Sequence, residues 1–333
     1  MKALVTGATG FTGGHLARHL RQRGDDVRVL VRPRHGLDRQ HTGQGFSPAD
    51  DIEIAYGDLT DPASIAAALQ GVDVVYNIAA LYREAGLPAS TYRAVNADAV
   101  AALIDAAARA GVKRVVHCST VGVHGDIEHP PANEDAPLRP GDIYQETKVL
   151  GERLAREAAA RSSVELVIAR PTGIYGPGDR RLFKMFGTIA RGRFVMLGGG
   201  RNFYHLTYID DLCAGFRLCG TVDRAAGRTY ILGGGETPTL EDIVQTTGRL
   251  SGRRAPWLRL SVWPVWLAGA LCEVLCRPLG IQPPLYRRRV DFFRKSRAFD
   301  ISRARAELGY APQVTMADGI GRTLEWYRAQ RWI

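Results

Sequence analysis

Lys2-Ala3-Leu4-Val5-Thr6-Gly7-Ala8-Thr9-Gly10-Phe11-Thr12-Gly13 reads as a strand, a tight turn and the first turn of a helix. The apolar residues before Thr6 form the strand, and the amphipathic run His15 to Arg23 continues the helix. Gly7 permits the turn, Gly10 lets the backbone approach a pyrophosphate, and Gly13 lets helix and strand pack closely. A helix starting here offers unpaired N–H groups and a partial positive charge to phosphate oxygens. The spacing is G-x-x-G-x-x-G rather than G-x-G-x-x-G. A glycine triplet alone is weak evidence. Seated between the strand and the helix that it requires, this one predicts nucleotide binding.

Five further apolar runs have strand character: Val27 to Val31, Ile52 to Tyr56, Asp73 to Asn77, Val112 to Cys118 and Val164 to Ala169. Helical stretches lie between them at Pro62 to Leu69, Tyr92 to Ala110 and Tyr144 to Arg161. Strands separated by helices predict an α/β fold, a Rossmann-type doubly wound parallel sheet with helices on both faces. Such sheets bind ligands at the carboxyl ends of their strands. Gly7, Asp58, Asn77 and Thr120 all fall at or just after predicted strand ends. Beyond Pro171 the pattern loosens. Glycines cluster at 198–200 and 233–235, and Pro256, Pro264, Pro278, Pro283 and Pro284 interrupt short helices. Residues 1–170 are therefore read as a dinucleotide-binding domain and residues 171–333 as a smaller, discontinuous substrate-binding cap. Within 205–232, the segment Tyr208-Ile209-Asp210-Asp211 and the strand Thr229 to Leu232 are expected to return and complete the first domain.

Chemistry enters at Ile143-Tyr144-Gln145-Glu146-Thr147-Lys148, where Tyr144 and Lys148 are four residues apart and share a helical face. A free tyrosine titrates at about 10 and is a poor base at neutral pH. A fixed ammonium beside the phenol would stabilise the phenolate and bring it toward the working range. Ser119-Thr120, after the fifth strand, adds hydroxyls upstream of this pair.

Together these residues resemble the extended short-chain dehydrogenase/reductase family. Its pattern is T-G-x-x-G-x-x-G, a Ser/Thr after the fifth strand, Y-x-x-x-K, and then R-P-x-x-x-Y-G-P, present here as Arg170-Pro171-Thr172-Gly173-Ile174-Tyr175-Gly176-Pro177. The tail from Phe299-Asp300 through Leu308-Gly309-Tyr310 to Trp326-Tyr327 is similar to the family's closing segment. The resemblance implies that Tyr144 exchanges a proton with a substrate hydroxyl or carbonyl while hydride moves to or from nicotinamide. Lys148 would lower the tyrosine pKa and hold the nicotinamide ribose. Thr120 would hydrogen-bond the reacting oxygen, with Ser119 the neighbouring candidate. The implied cofactor contacts are Thr6, Gly7, Gly10, Phe11, Thr12 and Gly13 in the turn, Arg32, Asp58 and Leu59 at the adenosine end, then Asn77, Ala79, Pro171 and the Tyr144–Lys148 pair. Asn96 resembles a family asparagine with a structural or a catalytic role. His124 replaces a tyrosine common in sugar-nucleotide members and is read as a packed core histidine.

The second strand ends Leu30-Val31-Arg32-Pro33-Arg34, without the Asp or Glu that binds an NAD ribose; Asp25 and Asp26 precede the strand. A basic residue accommodates a 2′-phosphate, so NADP is expected in preference to NAD. Two enzymatic readings follow. One is NADP(H)-dependent interconversion of an alcohol and a ketone, as in the dihydroflavonol-reductase and 3β-hydroxysteroid-dehydrogenase branches. The alternative is NDP-hexose 4-epimerisation with tightly held NAD. A dehydratase is disfavoured, because those relatives place Asp-Glu where this chain has Val121-Gly122. A third reading is an NADP-binding sensor without turnover.

Composition sets the outer bounds. A chain of 333 residues, 45% of them hydrophobic, can bury a large core. Five cysteines show no CxxC and no Cys/His cluster at zinc spacing, so no metal is expected and the thiols read as reduced, in a cytoplasmic protein. The first residues already read as the first strand, so no signal peptide is expected. The net charge of +10 is dominated by arginine, is spread along the chain apart from a cluster at 287–297, and is read as serving phosphate-bearing ligands rather than nucleic acid. The apolar run Val262 to Ile281 is interrupted by Pro264, Glu273, Arg277 and Pro278, which argues against a membrane span and leaves two readings: a helix folded over the substrate cleft, which is preferred, and a helix lying on a bilayer with its tryptophans in the interface and the 287–297 cluster at anionic headgroups. Gly198 to Gly200 with Arg201, and Arg287 to Arg289, are candidates for a sugar-nucleotide diphosphate. The Ala-rich helix and the Tyr144 helix correspond to those that pair dimers in this family, so a homodimer is expected.

Overall fold

The computed structural model describes residues 1–32, 50–84, 86–253, 258–276 and 290–333. Pro33, Arg34, Pro256, Pro278, Pro283, Pro284 and Arg287 to Arg289 lie outside them, so the parts assigned to those residues above are not placed.

Seven parallel strands form the main sheet: β1 (Lys2–Thr6), β2 (Asp26–Val31), β3 (Glu53–Tyr56), β4 (Val74–Asn77), β5 (Arg114–Cys118), β6 (Glu165–Pro171) and β10 (Thr229–Leu232). Their order is β3-β2-β1-β4-β5-β6-β10, which reverses direction between β1 and β4. This reversal opens a crevice at the carboxyl ends of the strands. The two-residue period of a strand divides the core. Leu4, Val75, Val115 and Ile168 face one layer, with Ile65 of α2 (Pro62–Ala68), Leu103 and Ile104 of a long helix, and Ala155 of α5 (Ile143–Ala160). Ala3, Val5, Tyr76, Val116 and Val167 face the other, against Leu16 and Leu20 of α1 (Phe11–Gln22) and Leu212 and Phe216 of α7 (Ile209–Thr221).

The long helix contains a local change of pitch. It runs as α3 (Ala89–Arg93), a π-helical turn (Ala94–Asp98) and α4 (Ala99–Arg109). The sequence showed a single helix there, because one inserted residue leaves the apolar pattern on either side intact.

The remaining elements make the smaller part. The short strands β7 (Gly173–Tyr175) and β9 (Leu206–Tyr208) pair with each other, as do β8 (Met196–Leu197) and β11 (Arg259–Leu260). Helices α6 (Phe183–Ala190), α8 (Leu240–Leu250), α9 (Val262–Cys276), α10 (Ser302–Leu308) and α11 (Met316–Ala329) complete it. Thr239 and Asp242 close a reciprocal cap at the start of α8. Single bridges join Tyr204 to Arg297 and Ala132 to Phe299, tying this part to the rim of the crevice.

Candidate active site

A cleft of ≈ 720 Å³ follows the carboxyl ends of the strands. Thr6, Gly7, Gly10, Phe11, Thr12, Gly13, Arg32, Asp58, Leu59, Ala79, Thr120, Tyr144 and Pro171 all line it. Asn77 and Lys148 lie buried beneath its floor.

The glycine turn has the shape of a phosphate cradle. Gly7 adopts a φ of +68°, and a Cβ on Gly13 would stand 2.4 Å from the Gly7 carbonyl oxygen, so neither position accepts a side chain. Gly10 caps α1 without any side-chain bond, and the first helical turn has no acidic residue. Its N–H groups therefore remain available to an anion. These residues fit a dinucleotide.

At the carboxyl end of β2, Arg32 follows the strand directly and acts electrostatically on Asp58. Burial raises the Asp58 pKa, but the two bonds from Thr60 and the Arg32 charge outweigh it and hold the carboxyl below its ordinary value. Asp61 caps α2 through Ala63 N–H, which leaves Asp58 facing the cleft.

Around Tyr144 the wall is aromatic and cationic. The Tyr82 ring stands edge-on to Tyr144 at 4.9 Å. The Arg83 guanidinium lies 5.1 Å from the Tyr82 ring centre and 5.8 Å from that of Tyr144. Burial pushes the Tyr144 phenol up, Cys118 and Tyr82 add to this, and Arg181 and Arg83 oppose it. Arg181, held by Asp179 at 3.1 Å, also packs 5.9 Å from the Tyr82 ring. This differs from the sequence expectation, in which Lys148 alone supplied the nearby charge. Tyr82, Arg83 and Arg181 come from loops after β4 and β7, and no local motif announces them.

Lys148 instead enters a buried chain of hydrogen bonds. Ala79 N–H donates to Thr6 Oγ1 at 3.1 Å, and the Thr6 hydroxyl donates to Asn77 Oδ1 at 2.7 Å. The Asn77 amide nitrogen then donates to His117 Nδ1 at 3.2 Å. An amide N–H2 cannot accept, so the imidazole proton sits on Nε2. That N–H faces Lys148 Nζ at 3.3 Å, while Nζ donates to the Cys118 carbonyl at 2.6 Å. Burial lowers the Lys148 pKa, and burial together with the Lys148 and Arg156 charges holds His117 neutral. Sequence reading missed His117, which sits in a strand as one more residue of a buried run.

Asn96, at the π-helical turn, uses its side chain fully. Its Oδ1 accepts from Leu81 N–H at 2.8 Å, and its Nδ2 donates to Leu81 O at 3.0 Å and Thr147 Oγ1 at 3.1 Å. It clamps the loop after β4 to the Tyr144 helix. Thr120 Oγ1 accepts from Gly122 N–H at 3.1 Å, which leaves the hydroxyl proton for the cleft. The Ser119 hydroxyl lies close enough to Glu152 to help depress that carboxyl, but outside hydrogen-bonding geometry. Behind them, Arg170 grips Glu152 with bonds of 2.9 and 2.6 Å and reaches His124 Nε2 at 3.2 Å. His124 is 1% exposed and is a core residue, as its sequence context indicated.

Two expectations fail. Gly198 to Gly200 and Arg201 do not line the cleft; Gly200 packs instead against the backbone at the start of α8. No described residue of α9 lines the cleft either. The helix lies on the outside with Trp263, Leu267, Leu271, Val274 and Leu275 exposed, because its root is fixed at the β8–β11 edge, where Val262 meets Gly198.

A family profile for the NAD dependent epimerase/dehydratase family matches residues 3–233, from the first strand of the cradle through the last strand of the sheet. The chain belongs to that family. This extended short-chain dehydrogenase/reductase is 31% identical to the 2-alkyl-3-oxoalkanoate reductase of Stenotrophomonas maltophilia (strain K279a), over 97% of this chain and 98% of that protein. It is 30% identical to the 3 beta-hydroxysteroid dehydrogenase/Delta 5→4-isomerase of Mycobacterium tuberculosis (strain CDC 1551 / Oshkosh), over 98% and 90%. The crystal structure of gox2253 superposes with a TM-score of 0.82 at 29% identity, covering 98% of each chain. Family membership makes the chain an NAD(P)-dependent enzyme and its cofactor a nicotinamide dinucleotide.

Proposed function

We propose that this family member is a cytoplasmic, homodimeric, NADP(H)-dependent oxidoreductase that interconverts an apolar alcohol and its ketone. The observation that carries this reading is the cleft wall beside Tyr144. Tyr82, Tyr204, Phe292 and Phe299 supply aromatic surface there, and Leu81, Val121, Ile174 and Leu182 supply aliphatic surface. Such walls suit a substrate whose body is apolar and whose single oxygen meets Tyr144 and Thr120. Arg32, in place of a carboxylate after β2, supports NADP.

A bound nicotinamide would supply the hydride acceptor or donor. In the oxidative direction the Tyr144 phenolate takes the hydroxyl proton as hydride leaves the same carbinol carbon, and the Thr120 hydroxyl donates to the oxygen that becomes a carbonyl. Arg181 and Arg83 bias Tyr144 toward the phenolate, and the Lys148 ammonium, on the same helical face, would add to this. The reductive direction reverses each transfer. The second reading, NDP-hexose epimerisation, draws on the cationic Arg181 and Arg297 in the same cleft. Arg181 is already held by Asp179, which weakens its claim to a diphosphate.

One preparation separates the two. The nucleotide released on denaturation is identified, and the protein is then assayed with NADPH and NADH against apolar ketones and against UDP-hexoses. A protein purified without nucleotide that consumes NADPH with ketones supports the reading. Retained NAD with inversion of a UDP-hexose and no net cofactor turnover would overturn it.

A further inference from the structure

Helix α9 presents an apolar face outward. Trp263, Leu267 and Leu271, with Val274 and Leu275 after them, recur at the spacing of one helical face and are between 59% and 66% exposed. The opposite side, at Gly269, packs inward. A surface helix of a soluble domain normally does the reverse.

Basic residues concentrate in the sequence that flanks this helix. Residues 253–297 contain ten basic and two acidic side chains, a net +8, whereas the whole chain carries +10. The other residues therefore contribute only +2, so the cluster read at 287–297 is part of a wider basic segment. At the root of the helix the Arg294 guanidinium lies 4.6 Å from the Trp263 ring centre and 5.4 Å from that of Trp266. Tryptophan with arginine at the end of an apolar stretch suits the boundary between headgroups and acyl chains.

We propose that α9 docks the protein onto an anionic lipid bilayer, its outward face dipping into the acyl boundary and the basic flanks meeting the headgroups. A second copy of the chain is a poorer occupant, since a symmetric contact would bring two such basic segments together. Spanning is excluded for α9 by length: its 15 residues reach about 22 Å, short of a core of about 30 Å. The described residues contain no helix long and apolar enough to cross. Arg294, which packs on Trp263 of the docking helix, stands in the chain between Phe292 and Arg297, both of which line the cleft, so the bound surface would lie near the cleft mouth.

The test mixes the full chain with vesicles of phosphatidylcholine containing phosphatidylglycerol, at physiological salt, and sediments them. The protein should pellet with these vesicles, pellet less at high salt, and stay largely in solution with phosphatidylcholine alone. Each basic side chain held near an anionic leaflet is worth about fivefold in partitioning. The exposed pair Leu267→Ser with Leu271→Ser should lower the pelleted fraction at least about fivefold while NAD(P)H binding is retained, which shows that the variant folds. Tryptophan emission should shift to the blue on mixing with the vesicles. Parent protein that remains in the supernatant with phosphatidylglycerol vesicles would overturn the proposal. So would a serine pair that converts a dimer to a monomer by light scattering and leaves vesicle binding unchanged.

Discussion

Lys148 Nζ meets an acceptor and a donor at once, the Cys118 carbonyl and the His117 Nε2–H. The donor disfavours the ammonium form. His117→Phe should let Lys148 hold its proton more readily, stabilise the Tyr144 phenolate, and move the ascending limb of kcat/KM for alcohol oxidation to lower pH. The same change strips the Asn77 N–H of its acceptor and should cost about 1–3 kcal/mol of stability. A denaturant midpoint that falls while the pH profile stays fixed would reduce His117 to a packing residue. Tyr144→Phe should lower kcat by about 10²–10⁴-fold with dinucleotide affinity close to the parent. Titration of bound NADPH beside steady-state turnover checks this, and more than half the parent activity would remove the tyrosine from proton transfer. The Tyr144–Lys148 spacing was plain in the sequence because both residues belong to one helix. Their partners were hidden, since His117, Tyr82 and Arg181 converge from separate strands and loops.

The π-helical turn at Ala94–Asp98 puts the Asn96 carbonyl against the Tyr144 helix, where a Cβ on Gly151 would stand 2.2 Å from that oxygen. Gly151→Ala must push α5 away or unwind the turn, and either change moves Lys148, one turn earlier. Overpacking of this kind costs about 1–3 kcal/mol. Activity should fall together with the thermal midpoint, and an alanine variant with parent activity and stability would show that the two helices have slack. The strands, the glycine cradle and the helix pair were legible because each rests on local periodicity or a fixed spacing. The π-helical turn was not, having no residue type that marks it. Gly198 to Gly200 misled for a related reason: a glycine-rich turn signals backbone freedom, and only the strand–helix context of Gly7 to Gly13 converts that freedom into an anion site. The same limit applied to α9, whose composition fits a cleft lid and an outer face equally well.

Five described histidines, His15, His19, His117, His124 and His205, have their pKa values lowered, each chiefly by burial. Unfolding frees them to take protons below about pH 6.5, so the unfolded state binds more protons there and stability falls as the pH drops. Glu152 acts lower on the scale. Burial raises its pKa, but its bonds to Arg170 hold it below the ordinary value. Its contribution is present above about pH 4.3 and is lost progressively below that. Urea midpoints at constant salt should therefore decline from about pH 7.5 to about pH 5 and decline again below about 4.3. A midpoint flat between pH 7.5 and 5 would contradict the histidine assignment. One more consequence lies in strand β10. It seals the β6 side of the sheet, yet it is made after β7, β8, β9 and α7. During synthesis the nascent sheet would therefore carry an open edge at β6 until Thr229–Leu232 has left the ribosome. A chain cut at Tyr175 should accordingly aggregate rather than fold as a free nucleotide-binding unit, and a soluble, NADPH-binding fragment would show that the edge needs no seal.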